Sequence, residues 1–141
     1  MPTDCLDIAA YPEIDGARMV LGFTGWMDGG DVSTGSLKYL SEKLGARPLA
    51  EIDPRGFYIY NFPGSMEISA LFRPHCEITD GIVHTYDPPA NRFQFDDANR
   101  LILFSGKEPN LAWETFADGF FRLAETFRVR AIYFVGSYAI V

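Results

Sequence analysis

Cysteine is nearly absent: Cys5 and Cys76 are the only two in 141 residues, and their separation fits no metal-ligand spacing. A disulfide-stapled scaffold is therefore excluded, and a Cys5–Cys76 bridge is not expected in a reducing compartment. Runs of positive charge are missing as well. Twelve Lys and Arg are scattered among nineteen acids, for a net charge of −7. Phosphate backbones are bound by clustered cations that displace counterions, so nucleic acid is not an expected partner. An anionic membrane surface is disfavoured on the same ground. No apolar stretch approaches the roughly twenty residues of a membrane-crossing helix. Met1 to Ile14 holds three acids and no base, the reverse of a secretory leader. A cytoplasmic protein with no membrane partner is the expectation.

What is present is core-forming material. Hydrophobic residues make up 48% of the chain and aromatics 15%, with twelve Phe, which excludes global disorder. The length suits one domain spanning 1–141.

Arg18 to Thr24 is a short apolar run without alternation, the pattern of a strand buried on both faces. It breaks at the glycine-dense turn Gly25-Trp26-Met27-Asp28-Gly29-Gly30. Asp31 is a candidate N-cap for a helix over Val32 to Leu44, with Ser33, Leu37, Leu40 and Leu44 on one face and Gly45 at its C′ position. Pro48 to Ile52 predicts a second strand. From Asp53 to Phe95 the chain changes character, with five prolines and short alternating stretches. Phe57 to Tyr60 and Ile82 to Tyr86 predict strands there, the latter entered through the turn Asp80-Gly81. This middle region is expected to be a β-rich insertion or antiparallel edge.

Regular order returns with a buried strand at Leu101 to Phe104 and its loop, Ser105 to Glu108. Pro109 is expected at or near the first turn of a long helix. Trp113, Phe116, Phe120, Leu123, Ala124 and Phe127 form its apolar face. Ala131 to Val135 is expected to be another buried strand, leaving through Gly136-Ser137-Tyr138. These runs predict an α/β domain with a mostly parallel sheet. Val141 follows a core strand where a crossover helix is normally due, so the domain is expected to be incomplete at its C-terminal end or completed by another chain.

Ligands of open α/β sheets bind outside the carboxyl ends of the strands. Three loops qualify: Gly25 to Gly30, Ser105 to Glu108, and Gly136 to Tyr138. The first matches neither GxGxxG nor the Walker pattern, lacks the lysine, and places Asp28 and Asp31 where an anion would lie. Glycines serving a tight turn explain it more simply. Trp26 is a lid, an interface anchor or a core plug. His75 and Cys76 are adjacent and would point to opposite faces of a strand, while Cys76 and His84 could meet across a hairpin, though without an orienting acid. Glu108 is either a general acid–base group or a companion to a helix N-terminus.

Three stretches together resemble the proteasome assembly chaperone 2 family. They are Val20-Leu21-Gly22-Phe23-Thr24-Gly25-Trp26-Met27-Asp28-Gly29-Gly30-Asp31 with its helix ending Leu44-Gly45-Ala46, the strand and loop Leu101 to Pro109, and the helix-to-strand step from Leu123 through Ala131 to Gly136-Ser137. The resemblance implies a three-layer α/β/α sandwich of the phosphorylase/hydrolase-like kind, in a domain usually longer than this chain. The family's eukaryotic namesake is a heterodimeric chaperone that holds proteasome α-subunits during ring assembly.

The leading expectation is a protein-binding, chaperone-like assembly module that acts on a protein partner or on itself as a homo-oligomer, with no cofactor and no metal. The alternative is an enzyme or sensor for a nucleoside-like or anionic small ligand. Either would use Gly25, Trp26, Met27, Asp28, Gly29, Gly30, Ser105, Gly106, Glu108, Gly136 and Ser137.

Overall fold

The computed structural model describes residues 4–138 and 140. In chain order the elements are β1 (Leu6–Ile8), β2 (Arg18–Thr24), α1 (Val32–Leu44), β3 (Arg47–Ile52), α2 (Met66–Phe72), β4 (His75–Thr79), β5 (Ile82–Asp87), β6 (Asn91–Asp96), β7 (Leu101–Lys107), α3 (Trp113–Thr126) and β8 (Ala131–Phe134). Six strands form one sheet in the order β1-β3-β6-β7-β2-β8, while β4 and β5 form a separate hairpin.

The sheet is mixed, which corrects the expectation of a mostly parallel one. Only β7–β2 and β2–β8 pair in parallel, and the other three pairings are antiparallel. The four apolar runs seen in the sequence, β2, β3, β7 and β8, do all run in one direction. The difference comes from β1 and β6, which flank β3 and run the other way. A four-residue turn joins β6 to β7, braced by Asn99 N–H on Asp96 Oδ2 at 3.0 Å. So short a connection permits only antiparallel pairing.

Alternation along the strands divides the sheet into two faces. Met19, Leu21 and Phe23 of β2 share one face with Ile102 and Phe104 of β7 and Phe93 and Phe95 of β6. Against it α3 packs Phe116, Phe120 and Leu123, all buried. Ring centroids of Phe104 and Phe120 lie 4.4 Å apart, and those of Phe93 and Phe104 4.7 Å apart, in tilted and edge-on geometries that suit aromatic quadrupoles. Each such fully buried ring contributes about 1.5–3 kcal/mol of transfer free energy. The opposite face carries α1, drawn close at Gly22, where a Cβ would lie 3.2 Å from Leu37 Cδ2. The result is a three-layer α/β/α arrangement.

Several local expectations change. Helix α1 has the predicted bounds and ends on Gly45 in the left-handed conformation, φ +60°. Asp31 holds the N-cap position as expected but makes no side-chain cap bond; that bond comes from Asp28, whose Oδ1 accepts from Thr34 N–H at 3.1 Å and Oδ2 from the Thr34 hydroxyl at 2.7 Å. Pro109 lies before α3, not in its first turn. There Asn110 and Leu111 donate their N–H groups to the Phe57 carbonyl, and Asn110 Oδ1 accepts from Ile59 N–H. Phe57 to Tyr60 is consequently a tethered loop instead of a strand. Residues 101–107 are all strand, so Ser105 and Gly106 belong to β7 rather than to its loop. The middle insertion contains the helix α2 as well as the hairpin.

Candidate functional site

The first and third glycine-rich loops meet at the carboxyl ends of β2 and β8 and are bonded to each other. Asp28 and Ser137 form an isolated parallel bridge. Ser137 N–H donates to the Met27 carbonyl at 2.8 Å, Gly29 N–H donates to the Ser137 carbonyl at 3.1 Å, and the Ser137 hydroxyl donates to the Gly29 carbonyl at 2.8 Å. Beneath them the buried Ser33 hydroxyl is shared between the carbonyls of Met27 at 2.9 Å and Val135 at 2.6 Å. Gly136 fits because a Cβ there would touch Met27 Cε and the Phe134 ring at 3.0 Å.

Glu108 closes the same cluster from β7. Its Oε2 accepts from Trp26 N–H at 3.2 Å, and its own N–H donates to the Thr24 carbonyl. A Cβ at Gly25, whose φ is +132°, would lie 2.7 Å from that carboxylate oxygen. Glu108 thus braces a loop and does not serve the helix behind it. Gly25 to Gly30, Glu108, Gly136 and Ser137 are brought together, but their polar atoms bind one another in a clasp. Ser105 lies apart on the α1 face, and Gly106 points its missing side chain into the core.

The chemistry weighed for the middle region does not assemble. Cys76 stands opposite Tyr86, and His84 falls at the irregularity between the Glu77–Thr85 and Ile78–Val83 pairs. Both cysteines are free, and among the described residues no group of His, Cys, Asp and Glu is placed to hold a metal. Among the described residues no helix is long and apolar enough to cross a membrane. The titration most altered is structural: burial pushes the Tyr58 phenol up to about 12. Its hydroxyl is shared between Asn91 Oδ1 at 2.9 Å and the Lys107 carbonyl at 2.7 Å.

Two surface features stand out against this knit interior. One is an apolar margin. β8, expected to be buried, is instead an edge strand carrying Ile132, Tyr133 and Phe134, all about half exposed, and Trp26, in the loop bridged to its exit, is 83% exposed. Such exposure excludes the core-plug reading of Trp26. Trp113 and Phe134 both touch the ring of Phe23, at 6.1 and 5.8 Å, so the margin is continuous with the core. The opposite edge, β1, is three residues long with the exposed Asp7 at its middle.

The other is a groove on the α1 face. A cleft of about 420 Å³ runs between α1 and β6–β7, past Lys38, Ser41, Arg92 and Gln94. It meets, at Ala90 and Ser105, a second cleft of about 320 Å³ beneath the base of the hairpin. Thr24, Arg73, His75, Asp87 and Lys107 line that second part, with Pro74, Pro88 and Pro89 stiffening its wall. Sequence reading passed over these cations because they lie far apart in the chain and only the insertion's fold-back brings them together.

The PAC2 family model matches residues 22–140. No curated protein matches the chain. Among solved structures, a proteasome-assembly chaperone homologue from Mycobacterium tuberculosis is 27% identical with a TM-score of 0.70, covering 84% of this chain and 48% of that one. A protein of unknown function from Corynebacterium glutamicum is 21% identical with a TM-score of 0.73, over 93% of this chain and 49% of that one. An archaeal proteasome activator from Pyrococcus furiosus is 19% identical with a TM-score of 0.55, over 92% of this chain and 49% of that one. The chain thus spans just under half the length of each. The family match takes in the glycine-rich clasp, the groove strands and the apolar edge strand together, and the chain belongs to the PAC2 family.

Proposed function

We propose that this chain is a cytoplasmic, chaperone-like assembly module that works by protein association along β8, with a second copy of itself as the first occupant. One observation carries the reading: β8 offers Ile132, Tyr133 and Phe134 with no partner on its outer side among the described residues. Natural sheets blunt their edges with short strands, charge or proline. β1 is short and carries the exposed Asp7; β8, though only four residues, carries neither charge nor proline. Ala131 to Val135 carries no charge, so two copies can meet there without opposing like charges despite a net −7. A two-fold contact of one patch with itself closes into a dimer. Trp26, held outward by the clasp, supplies the large aromatic anchor that dominates such interfaces. The likeness to the mycobacterial assembly-chaperone homologue supports an assembly role.

Light scattering across a concentration series tests this. A discrete dimer is expected, weakened about tenfold or more in Phe134→Glu and in Trp26→Ala, with circular dichroism retained. Phe134 also touches the core, so Trp26→Ala, a change at an exposed side chain, separates binding from folding. A strict monomer at high concentration, or polydisperse growth without a dimer, overturns the proposal.

A further inference from the structure

We propose that the groove on the α1 face is a binding site for a small polyanion, a metabolite carrying phosphate or carboxylate groups. This inference is independent of the association at β8, since the groove lies against α1 and the hairpin base. Its two joined clefts gather Lys38, Arg73, Arg92 and Lys107 against Glu42 and Asp87. Over the whole chain acids outnumber bases nineteen to twelve, so this groove reverses the protein's balance.

The four cations are also uncommitted. The ion pairs among the described residues use Arg47, Arg55, Arg122 and Arg128, and none of the groove's cations. Lys107 instead lies over the Tyr58 ring at 5.6 Å, a contact that leaves its charge unneutralised. Solvated single charges need no partner, but four in one concavity repel each other and attract a multivalent anion.

The rest of the lining suits such a ligand. Thr24 and Ser105 place hydroxyls at the carboxyl ends of β2 and β7, the usual ligand position in α/β sheets. Ser41 and Gln94, bonded to each other at 2.8 Å, offer further polar atoms along the floor. The end of β7 is held rigid by Asn91, whose buried Oδ1 accepts from Lys107 N–H at 3.1 Å. Arg73 in the cleft at the hairpin base and Arg92 in the cleft along α1 can each take an oxyanion through two N–H groups. The combined volume admits a small metabolite.

The test is an amide chemical-shift titration of the full chain with inorganic pyrophosphate and, separately, with citrate, at ionic strength fixed by chloride. Saturable binding tighter than about 1 mM is expected, with shifts confined to residues 38–42, 73–75, 87–94 and 105–107. Arg73→Ser and Arg92→Ser should each weaken it about tenfold or more while the melting temperature holds, because both side chains are exposed or polar-facing. Arg130→Ser, an exposed cation outside the groove, should change nothing. Pyrophosphate binding alone assigns a phosphorylated ligand, and citrate binding alone a carboxylate. Shifts that follow ionic strength only, that spread over the surface, or that Arg130→Ser weakens equally would overturn the proposal. Because dimer mass is read separately, a negative titration leaves the reading of β8 standing, and the reverse also holds.

Discussion

Gly106→Ala is the sharpest probe of how β7 is built. A Cβ at Gly106 would lie 2.5 Å from Asn91 Oδ1 and 2.6 Å from Phe104 Cζ. Neither neighbour has room to retreat. Phe104 is fully buried and ringed by Phe23, Phe93 and Phe120 at 5.3, 4.7 and 4.4 Å. Asn91, equally buried, is fixed by the Lys107 N–H and the Tyr58 hydroxyl. Overpacking of this kind costs about 1–3 kcal/mol. If Asn91 moves instead, a buried donor loses its acceptor for about 1–3 kcal/mol. The expected loss is about 2–4 kcal/mol, a large share of the roughly 5–15 kcal/mol that holds a domain together. Urea unfolding followed by circular dichroism should therefore show a midpoint lower by about 1–2 M at unchanged slope. Gly35→Ala is the counterpart: Gly35 is inside α1 with nothing within 4 Å of its would-be Cβ. That change should stabilise by up to about 1 kcal/mol. A Gly106→Ala loss below about 0.5 kcal/mol, the range of ordinary surface changes, would refute the packing described for β7.

Asp28→Ala should cost about 1 kcal/mol in thermal or urea unfolding through loss of the α1 cap, whereas Asp31→Ala should cost much less, since Asp31 makes no side-chain cap bond. Tyr58 makes a prediction at high pH. Its folded pKa of about 12 exceeds the ordinary 10, so its contribution is intact below pH 10 and is lost as pH climbs to 12, where the unfolded chain releases the proton first. Wild type should lose stability more steeply than Tyr58→Phe across that window, and parallel curves would refute the burial of this phenol.

The apolar runs gave away β2 and β7, whose central residues are buried on both faces and so leave uninterrupted hydrophobic stretches; β8 shows the same run of apolar residues but is an exposed edge, and β3 is only partly apolar. Gly45 marked the end of α1 because few residues other than glycine adopt a left-handed cap without strain. The strands that set the sheet's mixed character were harder to see. β1 is only three residues long, and Asn91-Arg92-Phe93-Gln94-Phe95-Asp96 alternates polar with apolar inside a proline-rich stretch. That alternation is the mark of a strand with one polar face: Arg92 and Gln94 look into the groove while Phe93 and Phe95 enter the core. α2 was hidden by its brevity, and its one signal is Ser65, which follows Pro63-Gly64 and accepts from Ile68 N–H. The clasp partners were readable as three loops on one rim. That they would satisfy each other was not, because hydrogen bonding between loops depends on a strand order that local sequence does not encode.

That mutual satisfaction bears on function more than an empty pocket would. Glycines that expose backbone N–H groups usually await an anion, but here Gly29 N–H, Ser137 N–H and Trp26 N–H already have oxygen partners. What the loops accomplish is mechanical. They bind the exit of β8 to the entrance of α1 through Met27, Ser33, Val135 and Ser137. An edge strand is otherwise free to fray, and a frayed strand loses entropy each time it pairs. Anchored at its carboxyl end and registered against β2 from Arg18 to Leu21, β8 has that ordering cost met before a partner arrives. The same anchoring fixes the backbone from which the exposed Trp26 side chain projects, since Glu108 holds its amide and Met27 next to it is tied to Ser137. The glycine-rich residues that first suggest a ligand cradle therefore hydrogen-bond to one another and fix the carboxyl end of an exposed apolar edge strand.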